Sequence, residues 1–295
     1  MSITLSATPA TSTQPGPAPA QERRSRLRRL RDPGLVAAVV VIALILIAAI
    51  APGLLTGADP LAADPFTALQ APSGAHWFGT DQLGRDVFTR TVHGARYSLA
   101  IGTASTALSL LAGGLVGLLA GLAPRWIDEV LSRALDVLSA FPEVLLALLF
   151  IAFTEPGTPS LVLAIALAFA PRYGRIVRAQ TLLVRRAGYV EQAVTFGLSR
   201  ARLVWRHVLP NVLGPLPILA TIGLGTAIVN ASALSFLGMG PQPPTPEWGA
   251  MLSESRSYLR VAWWSAILPG ATLTVTVIAL TALGRRLQRR FEGRR

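Results

Sequence analysis

VEQAVTFGLSRARLVWRHVLPN, Val190 to Asn211, decides how this 295-residue chain is read. It lies in a forty-residue basic segment, Pro171 to Pro210, between two apolar runs. Glu191 to Phe196 is compatible with a helix. Gly197 suits the left-handed backbone that commonly ends one. Ser199 can cap a second short helix running to His207. Leu209-Pro210 then stops that helix and leads into the next apolar run. The expectation is two short helices at an angle, stiff, charged and exposed to the cytosol. A generic basic loop needs no fixed Glu, Gly and Leu-Pro spacing. Such a segment suits a docking surface for a soluble partner.

Working outward, composition sets the class. The chain is 52% hydrophobic and 14% charged, against about 25% charged in a soluble domain. Its mean hydropathy is positive, and the apolar residues fall in long runs. The fold class is therefore an all-α polytopic membrane protein. Cysteine is absent, which excludes disulfides and cysteine-held metals. All 27 basic residues are arginine. A Walker A phosphate loop needs a lysine, so the chain is not itself a P-loop ATPase.

Residues 1–33 read as a disordered basic cytoplasmic tail, rich in Ser, Thr, Pro and Ala before six arginines. The stretch is too long for a signal peptide, and no small-residue cleavage site closes the apolar run after it. The arginines abut a span and no aromatics interleave with them, which argues against a nucleic-acid patch. Residues 285–295 read as a second basic cytoplasmic tail.

Between the tails, 34–284 carries six expected spans. They are Leu35–Leu55, Ser98–Ala123, Val137–Phe153, Leu161–Ala170, Val212–Leu237 and Ala262–Leu283. In the second, Gly113, Gly117 and Gly121 recur every four residues, a stripe that lets a neighbouring helix approach closely. The third contains Pro142-Glu143. The fourth has only ten clean apolar residues before Pro171-Arg172, too few alone for a span. Arginine placement supplies it. With both termini inside, 22 arginines fall on inside segments and five outside: Arg85, Arg90, Arg96, Arg256 and Arg260. Removing span four puts the eight from Arg172 to Arg206 outside and flips the tail out with them. The span is expected to be extended by Arg172 and Arg175 snorkelling to the inner surface.

The quoted stretch resembles the cytoplasmic coupling loop of ABC importer permeases. The family form is Glu-Ala-Ala-x3-Gly-x9-Ile-x-Leu-Pro. Glu191, Ala193, Gly197, Leu209 and Pro210 match it, while Gln192 stands at the first Ala and His207 at the Ile. Two further stretches narrow the resemblance to the dipeptide/oligopeptide/nickel importer permeases. HWFGTDQLGRDVFTRTVHGARYSL, His76 to Leu99, is similar to their segment before span two. ALSFLGMGPQPPTPEWGAML, Ala233 to Leu252, is similar to their segment after span five. With the six-span layout the resemblance covers nearly everything from Leu35 to Leu283, and it is to the C-type member of the permease pair. The family's usual acidic, Asp-Pro-containing tail is replaced here by RRLQRRFEGRR, Arg285 to Arg295.

The resemblance implies a transport subunit without chemistry or cofactor of its own, in a bacterial plasma membrane. It implies a second permease, two cytosolic ATPase subunits that bind ATP and magnesium, and an extracytoplasmic solute-binding protein. Glu191 would be the acidic contact to an ATPase groove, with Gly197 at the bend. Dipeptides, longer peptides and nickel chelates are all compatible cargoes.

Other polar residues have competing readings. Glu143 at membrane depth lines a pathway or pairs with a neighbouring helix. Asn230 and Ser232 are pathway groups or interhelical hydrogen-bonders. Arg133 and Asp136 are expected to pair at i, i+3, and Asp86 with Arg90 at i, i+4. Trp263 and Trp264 read as interfacial anchors. His76 and His93 fall outside and His207 inside, so they cannot share one metal. An intramembrane enzyme would need a Ser/His pair at depth or an HExxH motif, and the sequence has neither. A stand-alone secondary transporter would lean on Glu143.

Overall fold

The computed structural model describes residues 33–292; nearly all of the basic tail expected over 1–33 lies outside the described residues. Regular structure there is helical, apart from one isolated bridge pairing Thr80 with Asp86. The long helices are α1 (Pro33–Ile50), α2 (Val87–Leu122), α5 (Thr158–Arg185), α9 (Leu216–Phe236) and α11 (Trp264–Glu292). Each is long and apolar enough to cross a membrane. The shorter helices α3 (Arg125–Ser139) and α4 (Glu143–Ala152) meet at 89° and make a sixth crossing only as one broken span. The third expected span is therefore not a straight rod. Pro142 disfavours helical backbone at Phe141 and cannot donate the amide a continuous helix needs.

Span four is corrected the other way. Helix α5 runs unbroken through Pro171 to Arg185, 28 residues, about 42 Å at 1.5 Å per residue. It is the most buried of the spans, and neighbouring packing makes an internal proline tolerable. Its arginines meet the acidic face of α3. Arg178 chelates Asp128, with Nη2 donating at 2.8 Å, and Arg175 lies 3.9 Å from Asp136. Arg133 pairs weakly with Glu129, 3.8 Å away, rather than with Asp136. The i, i+3 pair gave way because α5 offered Asp136 a cation from outside its own helix.

Helix α2 spans 36 residues, roughly 54 Å, well beyond a hydrocarbon core of about 30 Å. It starts eleven residues before the expected span because Asp86 caps it, accepting from the Thr89 amide at 2.7 Å. Asp86 also bonds His76 Nδ1 at 2.8 Å, so it is not the partner of Arg90. The expected glycine stripe is where α2 meets α5. A Cβ on Gly113 would fall on the Ala170 carbonyl, and one on Gly117 on the Gly174 carbonyl. Backbone cannot step aside as a side chain can. Gly117→Leu is expected to force the two helices apart, costing about 1–3 kcal/mol or more. Gly114→Ala, one residue off the stripe, has only Val177 Cγ2 at 3.9 Å and should melt like the parent. Equal melting of both variants in detergent would show that the stripe is not a packing seam.

At one end of the bundle the loop before α2 and helix α10 (Trp248–Ser255) close into an ionic cap. Arg85 bonds Asp81 at 2.6 Å and Glu254 at 2.8 Å. Arg90 reaches the same Glu254 oxygen at 3.1 Å. Both arginines are buried, at 3% and 1% side-chain exposure. Glu247 is fully buried, caps α10 through the Ala250 amide, and accepts from Ser98 Oγ at 2.8 Å. Trp248 Nε1 donates to the Thr91 carbonyl, and Trp264 Nε1 to that of Thr80. Trp264 is thus a buried clamp and not an interfacial anchor, while Trp263 stays half exposed. The two stretches matched separately in the sequence, 76–99 and 233–252, form one interlocked unit.

Candidate coupling hinge

At the opposite end of α2 and α5, the chain makes the compact hinge that the quoted stretch led us to expect. Helix α6 (Gly188–Thr195) is followed by Gly197, then α7 (Arg200–Leu203), a wide π turn over Val204–Val208, and α8 (Leu209–Leu213). Gly197 has φ +79°, the left-handed backbone that favours glycine. The Leu198 amide donates to the Ala193 carbonyl at 3.1 Å, the six-to-one bond of a Schellman helix end.

Apolar packing anchors the hinge. Val190 on α6 is buried with Val177 and Val184 of α5 and with Val208 and Val212, and Ala193, three residues on, is buried as well. Leu118 and Leu122 of α2 close the cluster. Ala193 therefore faces inward and serves as a packing residue; its small side chain lets α6 lie close. The Glu191 side chain lies outside the described residues. Its neighbour Gln192 is exposed, as is Thr195.

Leu209-Pro210 does not stop the second helix. The Leu209 amide bonds back to the Val204 carbonyl, one residue further than in an α-helix. The extra residue in that turn gives the proline ring room. Helix α8 then continues to Leu213, and the break falls at Gly214-Pro215 before α9. Leu209 is half-buried and Pro210 exposed. The sequence reading missed the aromatics of this surface. Phe196 is 83% and Trp205 72% exposed, and Tyr189 tilts against His207 with ring centroids 6.3 Å apart. Aromatics at 189, 196 and 205 within a basic segment were the available signal.

The three expected pathway groups have separate surroundings. Glu143 is exposed at the start of α4, within electrostatic reach of Arg172 and Tyr173. Asn230 bonds the Thr226 carbonyl of its own helix at 3.0 Å. Ser232 is buried on α9 where Gly249 of α10 presses against its backbone. The histidines are also apart, with His93 bonded to the Thr89 carbonyl near the cap and His207 at the hinge. Among the described residues no group of three His, Cys, Asp or Glu side chains could hold a metal.

Residues 113–295 match the family model described as the binding-protein-dependent transport system inner membrane component. The chain belongs to this family. It is 42% identical over 250 residues to the dipeptide transport system permease protein DppC of Alkalihalophilus pseudofirmus, covering 85% of this chain and 82% of the relative. It is 44% identical over 206 residues to the di/tripeptide transport system permease protein DppC of Pseudomonas aeruginosa, covering 70% and 68%. An inward-facing structure of the MetNI methionine ABC transporter superposes with a TM-score of 0.57 at 20% identity. It covers 68% of this chain and 95% of that one, a likeness of fold. The chain is an ABC permease and an inner-membrane component, as its motifs implied. The reading as a stand-alone secondary transporter falls with that membership.

Proposed function

We propose that this permease forms half of the translocation pathway of an ATP-driven importer for dipeptides and related short peptides. A second homologous permease supplies the other half. Two cytosolic ATPase subunits bind and hydrolyse ATP with magnesium, and an extracytoplasmic binding protein delivers cargo. The hinge at 188–213 faces the cytosol, and the ionic cap faces outward. The observation that carries this reading is the relation to dipeptide permeases across 85% of the chain.

In this scheme the hinge converts ATPase closure into movement of the spans. Helix α6 is buried on one side against α5 and exposed on the other, so a push on its outer face passes directly to α5. Glu191, Phe196 and Trp205 form the contact surface. Gly197 fixes the angle between the two halves, while Ala193, Leu209 and Pro210 hold its inner shape. Glu143 borders the pathway; Asn230 and Ser232 do so only if the spans rearrange.

The test is reconstitution of the permease with its partner permease, ATPases and binding protein in proteoliposomes. ATP-dependent uptake of a labelled dipeptide is expected, with no uptake when the ATPases are omitted. ATP-dependent uptake of a different solute and none of peptides would overturn the cargo assignment. Orientation is read separately in intact cells, because the chain lacks cysteine. Phe66→Cys, at a 96% exposed position, should react with an impermeant maleimide and Ser199→Cys should not. The reverse pattern would remove the hinge from the cytosol.

A further inference from the structure

Between α1, α2, α9 and α11 lies a groove of about 250 Å³. Its walls are apolar: Ile45 and Ala49 from α1, Leu99 from α2, Leu224 from α9 and Leu280 from α11. The hydroxyls that reach it, Thr103 and Thr276, already donate to the carbonyls of Leu99 and Thr272 within their own helices. One charged group lines it, Arg96. Arg96 is exposed and has no carboxylate partner among the described residues. The other two arginines near the start of α2, Arg85 and Arg90, are buried in the cap on Asp81 and Glu254. Arg96 alone is left to the surroundings.

Its depth is fixed by α1. That helix has 18 residues, about 27 Å, close to the hydrocarbon thickness of a bilayer. Its end at Ile50, on the cap side, therefore marks the headgroup level there. Helix α1 runs toward the cap and α2 away from it, so Ala49 and Arg96 are the lining residues nearest the cap on their helices. They share the mouth of the groove, at the level of lipid phosphates. From there the groove descends along Leu99 and Thr103 on one side and Ile45 on the other.

We propose that this groove binds a glycerophospholipid from the leaflet on the cap side. Arg96 takes the phosphate, and one acyl chain lies between α1, α2, α9 and α11. Guanidinium and phosphate match in charge and geometry. An apolar wall without free hydrogen-bonding groups suits a hydrocarbon chain and would leave the ammonium and amide groups of a zwitterionic peptide unpaired. Helix α1 packs chiefly on α2 and α11 among the described spans. A lipid seated there would act as a wedge that fixes α1 to the rest of the bundle.

The test uses the assembled transporter purified in mild detergent and titrated with phosphatidylglycerol, with retained lipid counted by native mass spectrometry. Arg96→Gln is expected to weaken retention of a tightly held lipid about fivefold, the effect of one cation near a headgroup layer. Arg96→Lys should keep most of it. Ala100→Trp, which fills the groove and leaves the arginine, should remove the lipid. Inorganic phosphate at the same concentration should not compete, because it lacks the chain. Lipid retained equally by the parent, Arg96→Gln and Ala100→Trp would overturn the site. So would cross-linking of Thr103→Cys to the partner permease, which would make the groove a subunit contact.

Discussion

Glu254→Ala is expected to lower the melting temperature of the detergent-purified permease more than any single surface charge reversal. Glu254 joins Arg85 and Arg90 across more than 160 residues of sequence. Its removal leaves two guanidinium groups, 3% and 1% exposed, sharing Asp81 as their carboxylate, with the Pro244 carbonyl accepting from Arg90. Breaking a buried pair from one side costs about 3–5 kcal/mol, because the surviving charge stays desolvated. Glu254→Gln should be milder, since an amide oxygen still accepts a hydrogen bond. The control is Glu129→Ala, whose pair with Arg133 is 63–77% exposed and 3.8 Å long. Exposed pairs contribute under about 1 kcal/mol. If Glu254→Ala melted with Glu129→Ala, the cap would be an arrangement without energetic weight.

Gly197→Val is expected to abolish most peptide uptake while leaving the permease inserted. The residue sits at φ +79° with no atom within 4 Å of the position a Cβ would take. The defect would therefore be conformational, not a clash. Left-handed backbone costs an ordinary residue about 1–2 kcal/mol, and a β-branched one more. The helix end would shift, and the proposed contact surface with it. Gly197→Asn separates the two explanations, because asparagine tolerates left-handed backbone. Uptake should survive in the asparagine variant and fail in the valine variant. Glu191→Arg tests the proposed ATPase contact independently, through copurification of the ATPase subunits. Should valine, asparagine and arginine variants all transport like the parent, the hinge would not be the coupling element.

The sequence by itself determined the class. Long apolar runs and arginine asymmetry made this an α-helical membrane protein, and the fixed spacing from Glu191 to Pro210 placed the hinge. Gly197 was legible because left-handed backbone is a local demand that glycine meets without help. The stripe of Gly113, Gly117 and Gly121 was legible because a four-residue period is a local property of one helix. What the sequence could not supply was anything decided by a distant neighbour. Asp86 and Arg90 stand four apart on paper. Arg90 chose Glu254, because burial makes a desolvated arginine take the best carboxylate that the fold brings near. Pro142 broke a span and Pro171 did not, although each is a proline in an apolar context. Only tertiary packing against α2 decided that α5 would hold its line. Trp264 looked like a membrane anchor until the fold set the Thr80 carbonyl beside it. Ala193 could be placed on either face of α6 until the fold buried it. Local backbone preference and hydrophobic period are written along the chain; pairing partners and the buried side of a short helix exist only after the spans have packed.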